Sequence, residues 1–147
     1  EAEPDTVCTL CVAGDLVMHI PIINSCRTDD GYDFTGLFDE ARPYYESADY
    51  AAACIETTFN GPPYSGFPQF CAPDQLADDL KSVGLDLLST ASNHSLDTWF
   101  SGLTRTLDVL DGAGLDHVGT YRTQEERARA IAAEREAGHR CRIGLDK

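Results

Sequence analysis

Residues 87–97 read LLSTASNHSLD. The stretch begins apolar and small, then drops abruptly into Asn93-His94, with Asp97 three residues further on. A strand that ends in a polar turn is the expected signature of an α/β protein, where loops at the carboxyl ends of strands collect ligands and chemistry. The segments on either side agree. FSGLTRTLDVLDGAG (100–114) places Leu103, Leu107 and Leu110 on one helical face and stops at Gly112 and Gly114. LDHVGT (115–120) then reads as a fourth short strand.

Upstream, the same alternation repeats. Thr6 to Ala13 reads as a first strand ending at Gly14-Asp15, and DYAAACIETT (49–58) as a second ending at Glu56. HIPIINSCRTDDGYDFTG (19–36) reads as a loop anchored by Tyr32 and Phe34. In LFDEARPYYESA (37–48), Leu37, Phe38, Ala41 and Tyr45 have helical spacing, with Pro43 limiting the helix. FNGPPYSGFPQFCAPD (59–74) holds four prolines and two glycines and is a long ordered loop. Asp74 should cap the next helix, QLADDLKSVG (75–84), which Gly84 closes. Strands alternating with helices predict a layered α/β sandwich, its sheet mixed but mostly parallel, with flanking helices.

The 147 residues suffice for one domain with a sizeable core. A formal net charge of −14 argues against nucleic acid and against anionic lipid as partners. No apolar run approaches the roughly 20 residues that span a bilayer. The chain opens on EAEPDTV, without Met or a signal-peptide pattern, and closes on HRCRIGLDK, which climbs into a strand reading and stops. The expectation is an amino-terminal part, residues 1–147, of a longer single domain whose carboxyl end is missing. Six cysteines are present. Cys8 and Cys11, three apart on an expected strand, would face opposite ways. With no second close pair, small buried thiols are expected rather than a zinc cluster, and at most one disulfide.

The polar residues at the strand ends form the candidate site. Asp15 with His19 after strand one, Glu56 after strand two and Asn93-His94 after strand three would converge if the strands are neighbours. Oxygen and imidazole donors together suit Mn²⁺, Fe or Zn²⁺. Such ions polarise a phosphoryl oxygen and activate water, while a nearby His protonates the leaving oxygen.

VAGDLVMH (12–19), ACIETTFNGP (53–62) and residues 87–120, in that order, closely resemble the CapA family of poly-γ-glutamate capsule biosynthesis proteins. That family is a branch of the calcineurin-like metallophosphoesterase superfamily. The resemblance implies a metallophosphoesterase-type fold and a divalent metal site with Asp15, Glu56, Asn93 and His19 as ligands. It implies that His94 contacts the scissile group. It also implies an extracellular protein, membrane-anchored at the cell surface, working on a γ-glutamyl polymer or a phosphoester beside other capsule-assembly proteins.

Departures accompany the match. Cys54 stands where the family usually has Asn, and Trp99 where a Gly often follows the Asp. The family's later His-x-Gly-x-Glu-type segment has no counterpart here, so the metal site would be incomplete and the chain alone inactive. By the same resemblance, residues 130–145 form a hairpin turning at Gly138, against a composition that favours helix. Asp97 reads as a helix N-cap, His117 and His139 as structural or solvent-facing, and Tyr44, Tyr45 and Trp99 as packing residues. Two functions follow: a metal-dependent hydrolase of phosphoester or amide-like bonds, or a non-catalytic protein that holds or exports an anionic polymer.

Overall fold

The structure, a computed structural model, describes residues 7–136. Four strands, β1 (Leu10–Leu16), β2 (Tyr50–Ile55), β3 (Leu87–Ser89) and β4 (Asp116–Val118), form one sheet in the order β1-β2-β3-β4. All three pairings are parallel. Helices α1 (Ile20–Ser25), α2 (Arg42–Ser47), α3 (Gln75–Ser82), α4 (Trp99–Ala113) and α5 (Gln124–Glu136) lie between and after them, with a 3-10 turn at Thr35–Phe38. The layered α/β architecture expected from the alternation is present, and the described sheet is parallel throughout.

The core lies on one side of the sheet. Ala51, Ala53 and Ile55 of β2 and Leu88 of β3 belong to one buried cluster with Leu76 and Leu80 of α3 and Leu110 of α4. Phe34, at the end of the Asp-rich loop, is fully buried, and its N–H donates to Asp79 Oδ2 of α3 at 2.7 Å. Among the described residues the opposite side of the sheet is bare. Leu10 is 68 % exposed and Val12 75 %. Parallel sheets ordinarily bury both faces, whereas among the described residues this side, with Leu10 and Val12 on it, is left uncovered.

Several boundaries differ from the sequence expectation. β1 starts at Leu10 and runs to Leu16, so Asp15 lies within the strand and Cys8 lies before it, exposed. The first loop contains α1, a single short helix with a proline in its first turn. Asp74 occupies the N-cap position of α3 without capping it; its carboxylate is gripped by Arg105 of α4 at 2.7 and 2.6 Å. α4 ends as expected, at Gly114 in the left-handed conformation, φ 73°.

The hairpin expected at residues 130–145 is overturned for its first half, because α5 continues through Glu136. Ala, Glu and Arg keep their helical propensity there. The start of α5 is also locally satisfied: the Glu126 N–H donates to Thr123 Oγ1 at 3.0 Å, and the Glu126 carboxylate accepts from the Arg122 backbone and guanidinium. Gly138, His139 and Cys141 lie outside the described residues.

Candidate metal centre

A one-residue slip in β1 builds the centre. Val12 pairs with Ala52, but Asp15 pairs with Cys54, so β1 spends three residues where β2 spends two. A bulge of this kind flips the following side chains to the other face of the sheet. Asp15 is thereby turned onto the side that carries Cys54. Glu56, two residues beyond Cys54, shares that side because alternate residues of an extended chain point the same way. A ligand atom from each of Asp15, Cys54 and Glu56 lies within 4.8 Å of the other two.

Asp15 is exposed, while Cys54 and Glu56 are half-buried. Among the described residues, neither carboxylate is held in an ion pair with Lys, Arg or His. The Cys54 thiol is pushed above its ordinary range by burial, then by the Asp15 carboxylate and by Glu56, while the Ser89 hydroxyl pulls the other way. A thiol between two carboxylates is an electronegative pocket that a cation would neutralise. Three protein donors of sulfur and oxygen fit a divalent transition ion and leave it coordination positions for water or substrate.

The polar turn after β3 is held by its own serines. Ser95 Oγ lies 2.7 Å from the Thr90 carbonyl and accepts the Ser92 N–H at 2.9 Å; Ser92 Oγ accepts the His94 N–H at 3.1 Å. His94 Nδ1 lies 2.8 Å from Asp97 Oδ2, which also takes the Phe70 N–H at 2.6 Å. A carboxylate only accepts, so the proton sits on Nδ1 and the far nitrogen, Nε2, is left for other partners. Asp97 is therefore not the helix cap expected of it; Thr98 takes the N-cap position of α4.

Phe70 lies between the two histidines. Its ring meets His94 edge-on at 4.6 Å and His19 at 4.9 Å. His19 is exposed, just before α1, and Asn93 is exposed in the turn. Among the acidic, Cys and His side chains described, the group close enough to share an ion is Asp15, Cys54 and Glu56, and neither His19 nor His94 belongs to it.

Other side chains depart from expectation. Tyr45 packs in the core, but Tyr44 is 69 % exposed and Trp99 is 78 % exposed. Trp99 also has φ 64°, a conformation that favours glycine. His117 pairs with Asp111 at 3.0 Å, in keeping with a structural role. Cys26 and Cys71 are buried thiols, whereas Cys8 is exposed and Cys11 and Cys54 are intermediate; all five are free.

The fold and the cluster at the carboxyl edge of its strands define a layered α/β protein with a candidate metal centre. The chain belongs to the family described as bacterial capsule synthesis protein PGA_cap, whose model matches residues 9–145. Two curated relatives, the uncharacterized proteins y4sH and y4uA of Sinorhizobium fredii (strain NBRC 101917 / NGR234), are each 30% identical over 146 residues. The match covers 93% of this chain and 29% of each relative, so the chain spans less than a third of their length.

Proposed function

We propose that this chain contributes the first ligands and the acid-base group of a metal-dependent hydrolase acting on phosphoester or amide-like bonds in capsule synthesis. The meeting of Asp15, Cys54 and Glu56 on one side of the sheet supports this reading most directly. Asp15 and Glu56 would hold a divalent ion, Mn²⁺, Fe or Zn²⁺, with Asn93 and His19 completing its surroundings in the whole protein. When bound, the ion supplies a Lewis acid for a phosphoryl or carbonyl oxygen and lowers the pKa of a water.

The chain's own groups do the rest. Asp97 fixes the orientation of the His94 ring through Nδ1, which leaves Nε2 to act as the acid-base atom toward a leaving oxygen. The Ser92 and Ser95 bonds keep the turn from swinging that ring away. Membership of a capsule synthesis family makes a γ-glutamyl polymer the first substrate to try, beside phosphoesters, and other capsule-assembly proteins the natural partners. It also points to work at the cell surface, with the whole protein anchored in the membrane. None of the described helices is long and apolar enough to cross a membrane, so the anchor would be supplied elsewhere.

The test measures metal and turnover separately. Equilibrium dialysis of Mn²⁺ and Zn²⁺ against the chain should show binding that Asp15→Asn or Glu56→Gln weakens by about tenfold or more. Hydrolysis of an aryl phosphate and of a γ-glutamyl oligomer by the whole protein should fall about 10²- to 10⁴-fold in His94→Ala. Metal binding with no turnover of either substrate would favour the non-catalytic assembly reading, for which the −14 net charge calls for an intervening cation beside an anionic polymer.

A further inference from the structure

Cys54 is out of character for a free cysteine. Such residues are usually buried and behave as small apolar groups. Cys54 is half-exposed, while its neighbours Ala53 and Ile55 turn into the core on the other side of β2. It pairs in register with Asp15 on one side and with Ser89 on the other, so it lies between two neighbouring strands on the sheet's uncovered face, near their carboxyl ends. Its sulfur is the one soft atom in a group whose other donors are carboxylate oxygens. Among the described residues, the groups that bear on the thiol are polar: the Asp15 and Glu56 carboxylates and the Ser89 hydroxyl.

We propose that Cys54 is itself a ligand of the ion held by Asp15 and Glu56, and that its sulfur strengthens the centre's preference for Zn²⁺ over Mn²⁺. This rests on the metal-binding reading above and adds the donor that decides which ion is taken. Hard oxygen donors alone suit Mn²⁺ and Mg²⁺, whereas a thiolate favours Zn²⁺ and Co²⁺. The ligand atoms are already gathered within 4.8 Å, so binding asks for side-chain adjustment and the loss of the thiol proton to solvent. Asn at position 54, the residue the resemblance leads one to expect, would remove the sulfur and with it the part of that preference the thiolate adds.

Co²⁺ reports the bond without any assay of turnover. Added to the 147-residue chain, it should produce a thiolate-to-cobalt charge-transfer band that one equivalent of Zn²⁺ abolishes and Mn²⁺ does not. Cys54→Ser and Cys54→Asn should lose the band while still binding metal through Asp15 and Glu56. Their preference for Zn²⁺ over Mn²⁺ should fall about tenfold or more. Circular dichroism of each variant establishes that it is folded. A second measurement needs no variant: Zn²⁺, but not Mn²⁺, should slow alkylation of Cys54, read by peptide mass spectrometry. A band that survives in Cys54→Ser belongs to another cysteine and overturns the proposal. Asp15-dependent metal binding with no band, or with Cys54 alkylated equally fast under Zn²⁺, overturns it too and leaves the metal centre standing. Failure of the unaltered chain to bind any of the three ions sinks both readings together.

Discussion

Asp97 illustrates how much a single side chain can hold together. One carboxylate orients the His94 ring and accepts the N–H of Phe70, a residue 2 % exposed. Replacing Asp97 by Ala leaves a buried donor without a partner, which costs about 1–3 kcal/mol. Urea unfolding should show that loss, and His94→Ala should cost less because the Phe70 bond survives. Equal losses in the two variants would mean that the ring contact, not the backbone bond, is what matters. Asp79 is a second case at this scale. It is 7 % exposed and accepts the Phe34 N–H at 2.7 Å and Gln75 Nε2 at 2.9 Å. Asp79→Ala should therefore destabilise by a similar amount, about 1–3 kcal/mol, and loosen the loop that ends at Phe34.

Elements meet with little room to spare where α4 leaves the polar turn. A Cβ on Gly102 would lie 1.8 Å from Thr98 Oγ1, the hydroxyl that donates to Thr58 at 2.9 Å. Gly102→Ala must push Thr98 off that bond and should cost about 1–3 kcal/mol, the usual range for overpacking. Thermal unfolding would detect it, and an unchanged midpoint would mean that Thr98 turns aside freely. The strands carry a pH signal of their own. Tyr50 at the start of β2 donates to Asp116 of β4 at 2.7 Å, reaching past β3. Burial first, then Asp116, pushes its hydroxyl up to about 12 from the ordinary value of 10.0. A raised value means that the folded state keeps the proton which the unfolded chain gives up. The contribution is intact below pH 10 and is lost as pH rises through about 12. Tyr50→Phe should flatten the alkaline limb of stability against pH, and an identical limb in both proteins would assign it to other groups.

At the scale of the whole molecule, the bare face of the sheet sets behaviour in solution. Leu10, Val12 and Val118 stand exposed on the strands, and β1 and β4 are the outer strands of the described sheet. Exposed apolar faces and open edges favour association. The −14 net charge opposes it, so association should strengthen as salt screens the repulsion. Sedimentation of the 147-residue chain should show mass rising with concentration and salt, and Leu10→Lys with Val12→Lys should return it to monomer. A monomer at every salt concentration would show that the face is tolerated bare.

The alternation of strand and helix was legible in the sequence because each signal is local. Leu103, Leu107 and Leu110 repeat at helical spacing, and Gly114 supplies the backbone that ends α4. The positions of Glu56 and Asn93-His94 beyond their strands were legible for the same reason: apolar runs stop where they begin, whereas Asp15 lies inside β1, which continues to Leu16. The family resemblance also held, since residues 9–145 match its model. That resemblance nonetheless misled at residues 130–136, where local helical propensity was the better guide. Tertiary structure alone decided which side chains meet. Asp15 faces Cys54 only because a bulge shifts β1 by one residue against β2, and a shift of pairing leaves no mark in composition or period. Phe70 comes between His19 and His94 from a proline-rich loop with no periodicity to place it. Asp97 turns to His94 rather than to its own helix, and the same oxygen takes the N–H of Phe70 from a loop far away in the chain. Elements follow from neighbours along the chain, whereas the donor set follows from register and loop packing between segments far apart in it.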